Sequence, residues 1–210
     1  MTNIRKKIFA WFLRAFDKKN KETYGEIKER LFKGLHGTVL EIGAGTGVNF
    51  EYYPKNISLF AIEPNPILAK NLKNRGDNLG LKISVIKGSA EKIHFKNNSF
   101  DHVVSTLVLC SVNDAAKSLY EIKRILKIGG KFIFIEHVAD KDGTLRRSMQ
   151  NLAKYTPWRF FSDRCNPNRK TANFIRDAGF RKVKIKSFIL PQKGIAFWLI
   201  KPHIKGWAVK

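Results

Sequence analysis

From residue 38 onward, short runs rich in β-branched and aromatic residues alternate with stretches of helical period. The runs 38–42 (TVLEI), 58–63 (SLFAIE), 82–87 (KISVIK), 101–107 (DHVVSTL) and 131–137 (KFIFIEH) read as strands. Between them, 47–53, 65–75, a short piece near 91 and 114–127 read as helices, the last closed by Gly129 and Gly130. Such alternation predicts an α/β fold with a doubly wound, mostly parallel sheet. After a helical segment at 169–178 closed by Gly179, the chain changes character. The run 181–189 (RKVKIKSFI) turns at PQKG and is expected to return as 194–201 (GIAFWLIK). Four turn residues suit only an antiparallel hairpin, because a parallel return needs a long crossover. The intervening 138–168, aromatic and basic without strong periodicity, is the expected substrate cover.

The first nineteen or so residues have a helical period of their own. At about 100° per residue, Ile4, Ile8, Phe9, Trp11, Phe12, Leu13 and Phe16 share one broad arc, and Lys6, Lys7, Arg14 and Lys18 fall opposite. Arg5 and Lys19 break the pattern. Two readings follow: a basic amphipathic helix lying in a membrane interface, or a lid packed on its own domain. The expected organisation is therefore an N-terminal amphipathic or lid region at 1–35 and one domain at 36–210.

Composition narrows the function classes. The 210 residues, 43% hydrophobic and 12% aromatic, are long enough for one full core. Two cysteines, Cys110 and Cys165, make no disulfide framework and lack the paired spacing of a zinc or redox site, so no metal is expected and the chain reads as cytoplasmic. No apolar run is long enough to span a bilayer. The formal charge of +23 is uneven, with 17 basic and 3 acidic side chains in 141–210. Such a field attracts anionic surfaces, and an anionic membrane is the expected macromolecular partner rather than nucleic acid.

The candidate chemistry starts at LEIGAGTGVNF, residues 40–50. Its third glycine comes one residue too early for the dinucleotide fingerprint G-x-G-x-x-G, and it lacks the Lys-Ser/Thr pair of a P-loop. LEIGAGTG, AIEPNP, KGSAEKIHF, FDHVVSTLVLCSV and EIKRILKIGGKFIFIEH, in this order, resemble the class I S-adenosylmethionine-dependent methyltransferases. The resemblance implies a three-layer Rossmann-like sandwich whose seven-stranded, mostly parallel sheet ends in an antiparallel strand. It implies S-adenosylmethionine as methyl donor. Gly43, Ala44 and Gly45 would let the main chain pass close to the donor, and Glu41 would serve its ammonium end indirectly or else cap loop amides. Glu63 would accept both ribose hydroxyls, with Pro64 and Asn65 bordering the adenine. Ser89, Ala90 and Glu91 would read the adenine edge, although many relatives carry Asp where Ser89 stands. Thr106, Leu107 and Val108 would wall the site.

The acceptor has fewer signals. No NPPY-type tetrapeptide follows the fourth strand, which argues against exocyclic amino groups of bases. NFEYYP, EPNP, STLVLCSV, FIEHVA, DRC and the terminal PHIKGWAVK together resemble the methyltransferase-like alkyl thiol S-methyltransferases. That resemblance implies a small hydrophobic acceptor, with a thiol favoured. The animal members begin with a long hydrophobic anchor where this chain has the short amphipathic segment, so at most reversible membrane attachment is expected. The alternatives are a quinone-precursor C-methyltransferase, a phospholipid N-methyltransferase, and a non-catalytic basic binding protein. A free thiol of pKa ~8.5 must lose its proton to react, and His137, ending the fifth strand, is the candidate base. Basic residues of 146–170 are an alternative source of thiolate stabilisation. Cys110 is expected as a small buried hydrophobe. Trp158 with Phe160 or Phe161 would shape an acceptor cavity, and His203 and Trp207 receive no role.

Overall fold

The computed structural model describes residues 3–158, 162–191 and 194–210. Seven strands form one sheet: β1 (Thr38–Ile42), β2 (Ser58–Ile62), β3 (Lys82–Ile86), β4 (Phe100–Thr106), β5 (Leu126–His137), β6 (Lys182–Ile189) and β7 (Pro202–Val209). Their spatial order is β3-β2-β1-β4-β5-β7-β6, and only β7 runs against its neighbours. The helices are α1 (Asn3–Phe32), α2 (Pro66–Asn78), α3 (Ala115–Ile125), α4 (Leu145–Leu152), α5 (Thr171–Asp177) and α6 (Ile195–Leu199).

Successive strand residues feed opposite layers, as the period of two requires. Leu40, Val103, Phe132 and Phe134 pack with Leu119, Ile122 and Ile175 of α3 and α5. Val39, Val104 and Ile133 pack with Phe32 of α1 and Leu72 of α2 on the other face. Helix starts are fixed locally. Asn65 and Asp114 accept N–H bonds from Ile67 and Lys117 at 3.0 and 2.9 Å, and Pro66 opens α2 with its φ already helical.

The elements depart from the pattern in several places, among them the short helix expected near 91, where Ser89 and Lys92 form an isolated bridge instead. The expected helix at 47–53 is a 3-10 turn, Phe50–Tyr52. Gly129 and Gly130 do not end α3 but lie inside β5, where the β4–β5 register shifts between Phe100 and His102. A Cβ on Gly130 would stand 3.0 Å from the Asp101 carbonyl oxygen, so this bulge of the strand needs glycine there. The last strand is also displaced. The run expected as the return limb, 194–201, contains the helical turn α6, and the limb that pairs is Pro202–Val209, with Ile189 opposite Pro202 and Lys182 opposite Val209. A short apolar run does not distinguish strand from helix, and packing of Phe197 at 5.8 Å from Phe16 of α1 settles it here.

Candidate active site

β1, β2 and β4 end on one edge of the sheet, and a cleft of about 310 Å³ opens there. The positions expected to hold the donor line it, namely Glu41, Gly43, Ala44, Gly45, Glu63, Pro64, Ser89, Ala90, Glu91, Thr106, Leu107 and Val108, with the exception of Asn65. Asn65 is buried and engaged elsewhere, capping α2 and donating from Nδ2 to the Lys6 carbonyl at 3.1 Å.

The glycine bend is left-handed at Gly43 and Gly45, with φ of 62° and 58°. A Cβ at Gly43 would also meet Val108 Cγ2 at 2.5 Å, so the bend and the β4 wall approach too closely for any side chain. The Gly43 and Ala44 amides donate to the Ile62 carbonyl at 2.8 and 3.2 Å, welding the bend to the end of β2. Glu63 completes the weld: Oε2 accepts from the Gly45 amide and Oε1 from the Asn65 amide, both at 2.8 Å. Burial raises its carboxyl to about 7, against those two N–H groups. Each oxygen retains lone-pair capacity, so the carboxylate fits two further hydroxyl donors.

Glu41 does not cap loop amides. Its oxygens accept from Asn49 Nδ2 at 2.7 Å and the Tyr53 hydroxyl at 2.8 Å, and burial raises its carboxyl to about 7 as well. Asn49 also donates to Thr106 Oγ1 at 3.1 Å, so β1, the loop behind it and β4 are joined under the cleft floor. Ser89 and Glu91 bond to each other, the Glu91 amide donating to Ser89 Oγ at 3.2 Å. Burial opposes ionisation of Glu91, yet the amides of Asp114 and Asn113 hold its carboxyl below the ordinary range. The side chains of this loop are thus spent on the start of α3.

Several residues of the site received no role from the sequence. Glu136 is fully buried on β5, and its Oε1 accepts from Ser105 Oγ at 2.6 Å and from the amides of Val108 and Leu109 at 3.1 Å each. That grip holds the turn after β4, in which Leu107 takes φ 60°, a costly conformation for leucine. The roof is α1. Phe9, Leu13, Phe16, Asp17 and Asn20 line the cleft from above. Asp17 accepts from Thr46 Oγ1 at 2.6 Å and Arg75 Nη1 at 3.0 Å, and Arg5 pairs with Asp163 at 3.6 Å, so the helix is tied to the glycine bend, to α2 and to the cover. Fully buried Lys28, lowered to about 8 by burial, reaches Asn20 and lies over the ring of Tyr52. His203 pins the same helix. Burial lowers it to about 3, so the ring is neutral; Nδ1 donates to the Lys201 carbonyl at 3.1 Å, and Nε2 accepts from the Tyr24 hydroxyl at 2.9 Å.

His137 stands apart from the cleft. It is buried, absent from the lining, and its Nε2 lies 2.9 Å from Cys165 Sγ. Cys110 is buried too, behind the wall that Leu107 and Val108 present. Trp158 does not line the cleft, Trp207 lies on β7 between Lys131 and Lys182, and Phe160 and Phe161 fall outside the described residues.

The charge of the cleft is opposite to that of the molecule. In a chain of net charge +23, the lining carries Asp17, Glu41, Glu63, Glu91 and Asp163 against Arg164 as its one cation among the described residues. A confined acidic site suits a ligand that presents a sulfonium and an ammonium together.

Residues 40–134 match a family model described as "Methyltransferase domain". Together with the sheet order and the welded glycine bend, this makes the chain a class I S-adenosylmethionine-dependent methyltransferase. Human thiol S-methyltransferase TMT1A is 35% identical over 99% of this chain and 88% of its own length, and rat thiol S-methyltransferase TMT1B is 34% identical over 94% and 80%. The chain belongs to that thiol S-methyltransferase family. The fold is shared with a Thermotoga maritima S-adenosylmethionine-dependent methyltransferase described as a possible histamine N-methyltransferase, at a TM-score of 0.66 and 23% identity, covering 97% of this chain and 99% of that one.

Proposed function

We propose that this methyltransferase acts on the sulfur of a small, hydrophobic thiol. The acid-lined, apolar-roofed cleft carries the reading, and kinship with proteins named thiol S-methyltransferases supports the choice of sulfur. S-adenosylmethionine supplies an electrophilic methyl group, so the protein's task is to align a nucleophile and keep water away. Gly43 to Gly45 and Glu63 hold the nucleoside end. Phe9, Leu13 and Phe16 of α1 close the roof and offer an apolar surface to the acceptor's alkyl part. A thiolate, its proton already lost to solvent, would attack the methyl carbon in line, and its new carbon–sulfur bond would form as the methyl–sulfonium bond breaks and S-adenosylhomocysteine leaves as a neutral sulfide.

His137 is shielded from the cleft, so Arg164 is assigned the task of favouring the thiolate. Its guanidinium, beside Asp163, is the positive charge on the lining. Transfer of labelled methyl from S-adenosylmethionine to a series of alkyl thiols tests the reading. Arg164→Ala is expected to raise KM for the thiol about tenfold, as the loss of one charge contact of about 1.4 kcal/mol would, with donor affinity unchanged. Label appearing only in a phenolic quinone precursor or in phosphatidylethanolamine would exclude the thiol.

A second reading concerns location. No described helix is long and apolar enough to cross a membrane. The outer face of α1 nevertheless exposes Ile4 at 69% and Trp11 at 70%, with Ile8 and Phe12, among exposed Lys7, Arg14 and Lys18. We infer that this face rests reversibly on an anionic membrane surface from the cytoplasmic side, where an apolar acceptor would partition.

A further inference from the structure

We propose that Cys110, His137 and Cys165 form a binding site for a thiophilic divalent cation, with Zn²⁺ the expected occupant. The spacing of the two cysteines gives no hint of this, since the ligands come from three separate elements. Cys110 lies in the turn after β4, His137 is the last residue of β5, and Cys165 belongs to the segment that crosses over the sheet edge. One donor atom from each lies within 4.8 Å of the others, and all three residues are buried. The His137 Nε2 to Cys165 Sγ distance is 2.9 Å. Tetrahedral zinc, with Zn–S ~2.3 Å and Zn–N ~2.0–2.1 Å, sets its ligand atoms roughly 3.5–3.8 Å apart. The set already lies within that scale, and the 2.9 Å pair would have to open by somewhat less than ~1 Å to admit the ion.

One further contact points the same way. The Asn166 amide donates to the Cys110 carbonyl at 2.9 Å, which already holds the crossing segment against the turn. Thiolate and imidazole ligands select zinc over magnesium or calcium, and two thiolates neutralise its charge. Three protein ligands leave a fourth tetrahedral position for water or another donor. The cation would fasten the cover to the carboxyl edge of the sheet, beside the wall formed by Leu107 and Val108.

The test is metal content, independent of methyl transfer. Full-length protein, prepared without a metal-affinity step, is dialysed against zinc and then metal-free buffer, and analysed by elemental mass spectrometry. An equimolar content is expected in the wild type and in His94→Ala, whose histidine is exposed. It should be lost in Cys165→Ala and in His137→Ala, with S-adenosylmethionine binding by calorimetry retained to show that those variants fold. If either variant does not fold, the wild type loaded with Co²⁺ decides: the thiolate-to-cobalt charge-transfer absorption and tetrahedral bands are expected, and octahedral bands alone would overturn the site. Zinc bound equally by wild type and variants, or a zinc-free wild type carrying a Cys110–Cys165 disulfide, would also overturn it.

Discussion

Glu63, the carboxylate proposed to hold the donor's ribose, already has a structural task. Its two oxygens fasten the Gly45 and Asn65 amides, so the residue that would receive the ribose also sets the shape of the glycine bend. Glu63→Ala therefore removes the ligand contact and leaves two amides without their acceptor. The expected cost is about 2–3 kcal/mol, or about 30–150-fold in Kd for S-adenosylmethionine by calorimetry. A change of only a few fold would show that the carboxylate does not touch the donor. Burial also gives this contact a pH dependence. With its carboxyl raised to about 7, Glu63 is protonated in the free enzyme below that pH, and only the ionised form accepts from both hydroxyls and both amides. Donor affinity should rise between about pH 6 and 8, and Glu63→Gln should flatten the rise. The linkage to stability has the opposite sign. Glu41 and Glu63 ionise near 4.5 when unfolded and near 7 when folded, so the unfolded chain binds fewer protons in that window. The ligand-free protein should lose stability as pH rises through it.

α1 joins sequence to function as a single element. Its apolar arc is wider than one surface needs, and the fold divides it: Phe9, Leu13 and Phe16 turn towards the cleft, while Ile4, Ile8, Trp11 and Phe12 remain exposed. The lid and the membrane helix, alternatives from the sequence, thus correspond to two faces of one helix, one packed over the cleft and the other proposed to meet a membrane. What ties the lid down is polar. Asp17 links Thr46 of the glycine bend to Arg75 of α2, and Tyr24 is held by His203. Asp17→Ala should loosen the roof without disturbing the sheet. Stopped-flow dissociation of S-adenosylhomocysteine is expected to quicken about tenfold, as loss of charge-assisted bonds worth about 1.5 kcal/mol implies, with the melting temperature lowered by about 3–6 °C. An unaltered off-rate would mean that the roof does not gate the ligand.

At the scale of the whole molecule, charge is sorted by place. Acids collect in the cleft proposed for the cationic donor, and bases predominate elsewhere, most densely in 141–210. Adsorption to vesicles containing phosphatidylserine should therefore fall steeply with salt and fall again in Trp11→Ser, an exposed change that leaves the cleft intact. Equal partitioning of wild type and Trp11→Ser would remove α1 from the contact.

Much of this was legible along the chain because it is local. Strand and helix periods placed β1 to β4, α2 and α3 to within a few residues, Gly43 and Gly45 stood in a motif whose spacing reflects a single tight turn, and Glu63 showed itself by ending the second strand. The displaced last strand was not legible, since an eight-residue apolar run suits a strand or a helical turn until α1 supplies Phe16 as its neighbour. His203 and Glu136 were silent for a related reason: their partners, Tyr24 and the amides of Val108 and Leu109, lie far off in sequence. His137 showed its residue type and its place at a strand end, but not its shielding. Contacts between neighbours in the chain are encoded in its order, whereas burial and the meeting of distant groups exist only once the layers have packed.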